Sequence, residues 1–206
     1  VLNIVSELKT PFYLTGGTAL SRGYYNHRYS DDLDFFVNND LNFSSYANQI
    51  IEELKKTGYT WNSETEFYKT AGFYSITVHF KDFPMGLKVD FVNDISSHFG
   101  KIQKTDLYYR TDSVRNILSN KISATVRFAG KDMIDIREIC LHENFNWKEI
   151  FEEVQQKELG LDADTVSQII EGTPKAAFET IKWIKKPDWE TFQKDIRQIA
   201  KEIGRA

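Results

Sequence analysis

The stretch LTGGTALSRGYYNHRYSDDLDFFV, residues 14–37, decides how this chain is read. Phe12-Tyr13-Leu14 is a short apolar run that ends at Gly16-Gly17, and Thr18 to Tyr25 then reads as a helix with Thr15 or Thr18 as its N-cap. A glycine pair at a strand-to-helix junction lets the backbone come close to a ligand, and the N–H groups of the helix start attract phosphate. Leu33 to Val37 reads as a strand bounded by Asn38-Asn39. Its period of two puts Asp32 and Asp34 on one face and Leu33, Phe35 and Val37 on the other, toward a core. Two carboxylates side by side repel unless a cation sits between them, so the pair is poised for Mg²⁺. Asp31 has the opposite parity and is left out of the site. Taken singly, Gly-Gly is more often a plain turn, and Asp-x-Asp more often a solvated strand face.

Outward from this block, Phe43 to Lys56 repeats its apolar residues at helical spacing, with Gly58 where a C-cap would sit. Phe73 to Phe80 and Leu87 to Val92 alternate as strands, with Pro84 and Gly86 suited to a turn between them. The second of these strands carries Asp90 on its polar face. If it pairs beside the Leu33–Val37 strand, three carboxylates meet. Three carboxylates around two Mg²⁺ ions are what in-line phosphoryl or nucleotidyl transfer needs.

A Gly-Gly junction followed by Asp-x-Asp on one strand and a third Asp on another resembles the DNA polymerase β-type nucleotidyltransferase superfamily. Within it, GGTAL and then Arg28-x-Ser30-x-Asp32-Leu33-Asp34-Phe35-Phe36 resemble the AbiEii/AbiGii toxin family, the toxin halves of bacterial type IV toxin–antitoxin and abortive-infection systems. The resemblance is close over Leu14–Val37, moderate over Lys88–Val92 and loose over Lys121–Asp135. It implies an α+β fold: a nucleotidyltransferase-type mixed β-sheet core flanked by helices, followed by a helical C-terminal domain. It also implies transfer of an NMP from an NTP to an acceptor, with a tRNA or other RNA as the acceptor and a separate antitoxin protein as a partner.

Asp32, Asp34 and Asp90 are then the metal ligands for two Mg²⁺ (or Mn²⁺) ions. Gly16, Gly17, Thr18, Arg28 and Ser30 would hold the nucleotide, Arg28 through its planar fork and Ser30 by bonding phosphate or bracing the turn. In KISATVRFAGKDMIDI, residues 121–136, Lys121 and the Lys131-Asp132-x-x-Asp135 pattern match the family. Lys121 is assigned to the triphosphate and counted with the catalytic set. Asp132 is read as orienting Lys121, contacting the base or accepting a proton. An interhelical ion pair with Lys121 or Arg127 is the plainer alternative. Asp135 is read as structural.

From Ser113 onward the signal is helical: Ser113–Phe128, Asp132–His142, Trp147–Val154 and a final stripe of Trp189, Phe192, Ile196, Ile199 and Ile203. The expected division is a nucleotidyltransferase core over 1–110 and a helical domain over 111–206. The composition suits this. Aromatic residues at 14% support a sizeable core, and 30 acidic against 26 basic residues argue against coating nucleic acid by bulk charge. Lys101, Lys104, Arg110, Arg115, Lys121, Arg127 and Lys131, interleaved with Tyr108 and Tyr109, form a local basic run. It reads either as an RNA groove or as a solvated face.

Cys140, the single cysteine, excludes an internal disulfide, and the four histidines show no ligand spacing. No apolar run approaches a membrane span, and Val1–Gly17 lacks the features of a signal peptide, so a cytoplasmic protein is expected. Two other readings remain: a small-molecule or protein nucleotidyltransferase, which more often carries Gly-Ser in the first motif, and a catalytically degenerate nucleotide-binding module.

Overall fold

The structure is a computed structural model. It describes residues 1–81 and 83–206, without the side chain of Pro84. The chain forms two compact units. One is Val1–Tyr24 with Ser30–Asp112, and the other is Tyr25–Tyr29 with Ser113–Ala206. The architecture is mixed α+β.

The first unit is built on a five-stranded sheet in the order β1-β2-β5-β4-β3. The strands are β1 (Tyr13–Thr15), β2 (Asp32–Asn38), β3 (Phe67–Lys69), β4 (Phe73–Phe80) and β5 (Phe83–Asp94). β2 and β5 pair in parallel; β1–β2, β4–β5 and β3–β4 are antiparallel. Alternation dictates the faces. Leu33, Phe35 and Val37 of β2 and Val89 and Phe91 of β5 are buried, and the Phe35 and Phe91 rings stack at 5.7 Å.

Helix α1 (Leu2–Glu7) precedes the sheet, and α3 (Phe43–Lys56) supplies Phe43, Ala47, Ile50, Ile51 and Leu54 to the same core. Phe43 meets Tyr74 at 5.2 Å, and Phe12 meets Phe91 at 5.3 Å. This aromatic layer uses part of the high aromatic content, each ring burying a large apolar area.

Three local features depart from the sequence reading. The helix after β1 starts at Gly16 rather than Thr18: one turn, α2 (Gly16–Thr18), passes into a π-helical stretch, Ala19–Tyr25. Thr15 stands at the N-cap but makes no capping bond, because its hydroxyl is given to Asp112. Strand β5 already begins at Phe83, so Pro84 and Gly86 lie within a strand and not in the turn. A Cβ on Gly86 would sit 2.5 Å from Thr77 Cγ2, beside a register shift between Val78 and Phe80. Glycine is required there by the close approach of β4. Edge strand β3 is too short for its alternation to be read.

The second unit contains α4 (Val114–Ser123), a 3₁₀ turn (Thr125–Arg127), α5 (Gly130–His142), α6 (Trp147–Gln155), α7 (Ala163–Glu171), α8 (Lys175–Glu179) and α9 (Trp189–Ile203). The expected Ser113–Phe128 helix ends at Ser123 and tightens into the 3₁₀ turn, leaving Phe128 at φ 53°. Phe192, Ile196, Ile199 and Ile203 of the α9 stripe are buried, and Phe178, Trp183, Trp189 and Phe192 cluster at its start. Arg137 of α5 reaches Asp195 of α9 at 2.5 Å. The segment Tyr25–Tyr29 joins this unit by backbone bonds: Tyr29 N–H to Lys182 O at 2.8 Å and Ile184 N–H to His27 O at 3.0 Å.

Ser113 caps α4, its hydroxyl oxygen accepting the Asn116 N–H at 3.0 Å. Replacing it with alanine leaves that donor unpaired at the start of the helix that carries Lys121. Ser113→Ala is expected to cost about 1 kcal/mol, seen as a lower urea midpoint with an unchanged m-value, and Ser113→Thr to recover most of it.

Candidate functional site: a carboxylate face and a buried ion cluster

The polar face of the sheet is fixed by its register. Asp34 is paired with Asp90 and with Thr15, Asp32 with Lys88, Asp90 with Ser75, and Lys88 with Thr77. Paired residues on neighbouring strands project to the same side. One row across the sheet is therefore Thr15, Asp34, Asp90, Ser75, and the next is Asp32, Lys88, Thr77. The condition set by the sequence, that the Asp90 strand lie beside the Asp-x-Asp strand, is met by the β2–β5 pairing.

Asp90 is 8% exposed. Its carboxylate accepts the Ser75 hydroxyl at 2.6 Å and the Lys88 ammonium at 2.5 Å. Partial burial works against the Lys88 charge, but Asp90, then Asp32 and Asp34, outweigh it and hold the ammonium above the usual lysine range. Among the described residues no three His, Cys, Asp or Glu side chains are gathered at ligating distance. The donor set itself is that of a hard divalent cation, three carboxylates on one face.

Gly16 borders this face. It has φ +69°, and a Cβ there would lie 2.3 Å from Asp34 Oδ2. Thr18 donates its hydroxyl to the Asp32 carbonyl, pinning the start of β2. Gly17 is buried beside it, and Ser30 is half-exposed before β2.

Sequence reasoning missed Asp112. It is fully buried and accepts Thr15 Oγ1 at 2.5 Å and pairs with His98 Nε2 at 2.9 Å, while its carbonyl takes the Tyr24 hydroxyl at 2.6 Å. Its partners are 14 to 97 residues away in sequence, so no local pattern marks it.

Arg28, Lys121 and Asp132 belong to the second unit, where they come together around Asp135. The Arg28 fork grips Asp135 through Nε to Oδ1 and a terminal N–H to Oδ2, both at 2.7 Å, and a third donor goes to the Tyr29 carbonyl at 2.9 Å. Lys121 reaches Asp132 at 2.7 Å and Asp135 at 2.8 Å. His27 Nε2 adds a contact to Asp135 at 2.9 Å, and Arg127 approaches Asp132 from outside at 3.6 Å. Asp132 thus makes the interhelical ion pair with Lys121. His27 was passed over because its partner is 108 residues away.

Burial pushes the Asp135 carboxyl up, but Lys121, His27 and Arg28 overcome this and hold it far below the usual carboxylate range. Burial likewise works against the Lys121 charge and is outweighed by Asp135 and Asp132, so its ammonium is held above the ordinary value. Cys140 is half-buried on α5.

A family model described as "Nucleotidyl transferase AbiEii toxin, Type IV TA system" matches residues 2–202. No curated protein matches this chain. Among solved structures, JHP933 from Helicobacter pylori is similar at a TM-score of 0.66 and 20% identity, covering 98% of this chain and 88% of that one. A presumed nucleotidyltransferase of H. pylori gives 0.65 and 21%, covering 98% and 90%. MenT4, nucleotidyltransferase toxin Rv2826c from Mycobacterium tuberculosis H37Rv, gives 0.65 and 11%, covering 100% and 80%. At these identities the three structures show a shared fold. Among the described residues no helix is long and apolar enough to cross a membrane.

Two stability outcomes follow from the geometry. Gly16→Ala is strained by its positive φ and by the Asp34 carboxylate, and is expected to cost roughly 1–3 kcal/mol in urea unfolding. Asp34→Ala introduced beside it should recover the steric part only. Asp135→Asn strands Arg28 and Lys121 and is expected to cost about 3–5 kcal/mol at neutral pH. The folded-state value of Asp135 is depressed, so its contribution is full above about pH 4 and is lost as pH falls from there toward the folded value. Unfolding measured against pH should show a steep acid limb in the wild type and a shallower one in Asp135→Asn.

Proposed function

The chain belongs to the AbiEii family of nucleotidyltransferase toxins of type IV toxin–antitoxin systems, and from that premise we propose that it moves an NMP from an NTP to an acceptor using Mg²⁺ or Mn²⁺ held by Asp32, Asp34 and Asp90. The observation that carries this reading is the parallel β2–β5 register, with Asp34 beside Asp90 and Asp32 on the same face. Divalent ions bound there supply activation of the acceptor hydroxyl and neutralisation of the charge that develops on the leaving pyrophosphate.

The chain's own residues have separate tasks. Asp32, Asp34 and Asp90 would hold the divalent ions, and Asp90 would help to take the acceptor proton. The missing Cβ of Gly16 makes room for the Asp34 carboxylate, and the backbone of Gly16 and Gly17 beside it would face the phosphates. Thr18 keeps β2 in place through the Asp32 carbonyl, and Ser30 braces the turn before it.

In the helical unit Lys121 is assigned to the triphosphate, with Asp132 orienting its ammonium across 2.7 Å. Arg28 serves best as the positioning partner of Asp135, since its fork is engaged there. We take a tRNA or other RNA as the acceptor and a separate antitoxin chain as the partner, both from the family.

The reading is tested by incubating purified protein with each labelled NTP, Mg²⁺ and total RNA. Label on RNA is expected with the wild type. Asp34→Asn should reduce it more than about a hundredfold, because the lost metal contribution is worth several kcal/mol. Label on protein in place of RNA would move the acceptor assignment. No labelling and no NTP turnover under any condition would leave only nucleotide binding.

A further inference from the structure

The carboxylate face contains a cation of its own. Lys88 and the three aspartates occupy the four corners of one patch on β2 and β5: Asp32 beside Lys88, and Asp34 beside Asp90. The Lys88 ammonium is 2.5 Å from Asp90 Oδ2, and Asp32 and Asp34 also act on its charge. Like charges directly across a pair of strands repel, so the Asp34–Asp90 pairing needs positive charge close by. Lys88 is the residue of the patch that supplies it. A divalent ion ligated through Asp90 Oδ2 would need the position that this ammonium fills.

We propose that Lys88 is the internal counter-cation of the Asp32, Asp34 and Asp90 patch and competes with divalent metal for it, so that metal entry displaces the ammonium. The proposal rests on the metal reading of this face given above. Exposure decides that the lysine is able to leave. Its side chain is 46% exposed, so its ammonium can swing to water along its flexible stem, while Asp90, 8% exposed, needs the incoming ion in its place. Lys121 makes a comparable pairing with Asp132 and Asp135, yet its side chain is 11% exposed and both partners are buried, so it stays. Ser75 remains on Asp90 in either state, bonding one oxygen at 2.6 Å while the other carries Lys88. Lys88 thus sets how tightly metal binds and keeps the patch neutralised when metal is scarce.

The test is calorimetric titration of the full chain with Mn²⁺ alone, without nucleotide, for wild type, Lys88→Gln and Lys88→Arg. Lys88→Gln is expected to bind Mn²⁺ about two- to fivefold more tightly than wild type, the scale of one partly exposed ion pair removed from the competition. Lys88→Arg keeps the charge and should stay close to wild type. In EDTA, Lys88→Gln should melt below wild type, and Mn²⁺ should raise its melting temperature by more.

Equal or weaker Mn²⁺ binding by Lys88→Gln, with wild type binding normally, overturns the competition and leaves the metal reading intact. Absence of Mn²⁺ binding in both proteins overturns the two together. The wild type alone gives a second check that needs no variant. The Lys88 side-chain NMR signal should move to that of a solvated lysine as diamagnetic Mg²⁺ is added, and a signal unchanged at saturating Mg²⁺ overturns the proposal.

Discussion

The parallel pairing of β2 with β5 is the constraint on which the first unit turns. It is driven from the core side, where Leu33, Phe35, Val37, Val89 and Phe91 must be covered and the Phe35 and Phe91 rings stack. Because side chains alternate, the register that buries those rings has no freedom left on the other face. It sets Asp34 against Asp90 and Asp32 against Lys88. A slip of one residue would send the aspartates into the core and the phenylalanines to solvent. The apolar layer therefore holds the carboxylates together against their own repulsion. The residual charge is offset by Lys88 and by the Ser75 hydroxyl. Gly16 extends the same logic to the backbone, since the space a side chain would occupy there is filled by the Asp34 carboxylate.

The helical unit manages charge in the opposite way. Asp135 is fully buried, and it is held ionised by a bidentate arginine, a lysine and a histidine ring. Such a cluster is a poor source of net stability, because desolvation consumes much of the Coulomb gain, but it is costly to break from one side. Its consequence is positional. It fixes Tyr25–Tyr29 against α5, and it fixes Lys121 against both α5 aspartates. The half-exposed patch of the sheet is suited to exchange its cation, and the buried cluster is suited to hold its cations still.

What the sequence made legible follows from the range of the interactions. The period of two on Leu33–Val37 and the helical spacing of Phe43–Lys56 are local, and the strand Asp32–Asn38 and the helix Phe43–Lys56 appear there. The neighbour relation between β2 and β5 is topological: parity states which way Asp90 points, and only the strand order brings it beside Asp34. The π-helical winding of Ala19–Tyr25 had no signature in the residue pattern, and the helix start was read from Thr18 because threonine is a common cap. Here that role failed, since the Thr15 hydroxyl found a stronger acceptor in buried Asp112. Pro84 and Gly86 were read as a turn from their residue types, whereas Gly86 is demanded by the proximity of Thr77 on the next strand. His27, His98 and Asp112 escaped for one reason: their partners are distant in sequence, and a histidine without ligand spacing gives no sign of a buried carboxylate.

Arg28 shows how geometry weighs two chemical readings of one side chain. Its planar fork suits phosphate as well as carboxylate. In the folded chain two of its donors are on Asp135 and another is on the Tyr29 carbonyl, and the residue is 4% exposed. To clamp a phosphate through the same fork it would have to abandon a fully buried carboxylate, at a cost of about 3–5 kcal/mol before any new bond was made. A phosphate contact in a wet site returns less than that, since a net hydrogen bond to a charged group is worth roughly 1.5–3 kcal/mol. The balance favours Arg28 as the residue that holds the Asn26–Ser30 loop in shape. Lys121 is fixed in the same cluster, its ammonium shared between Asp132 at 2.7 Å and Asp135 at 2.8 Å.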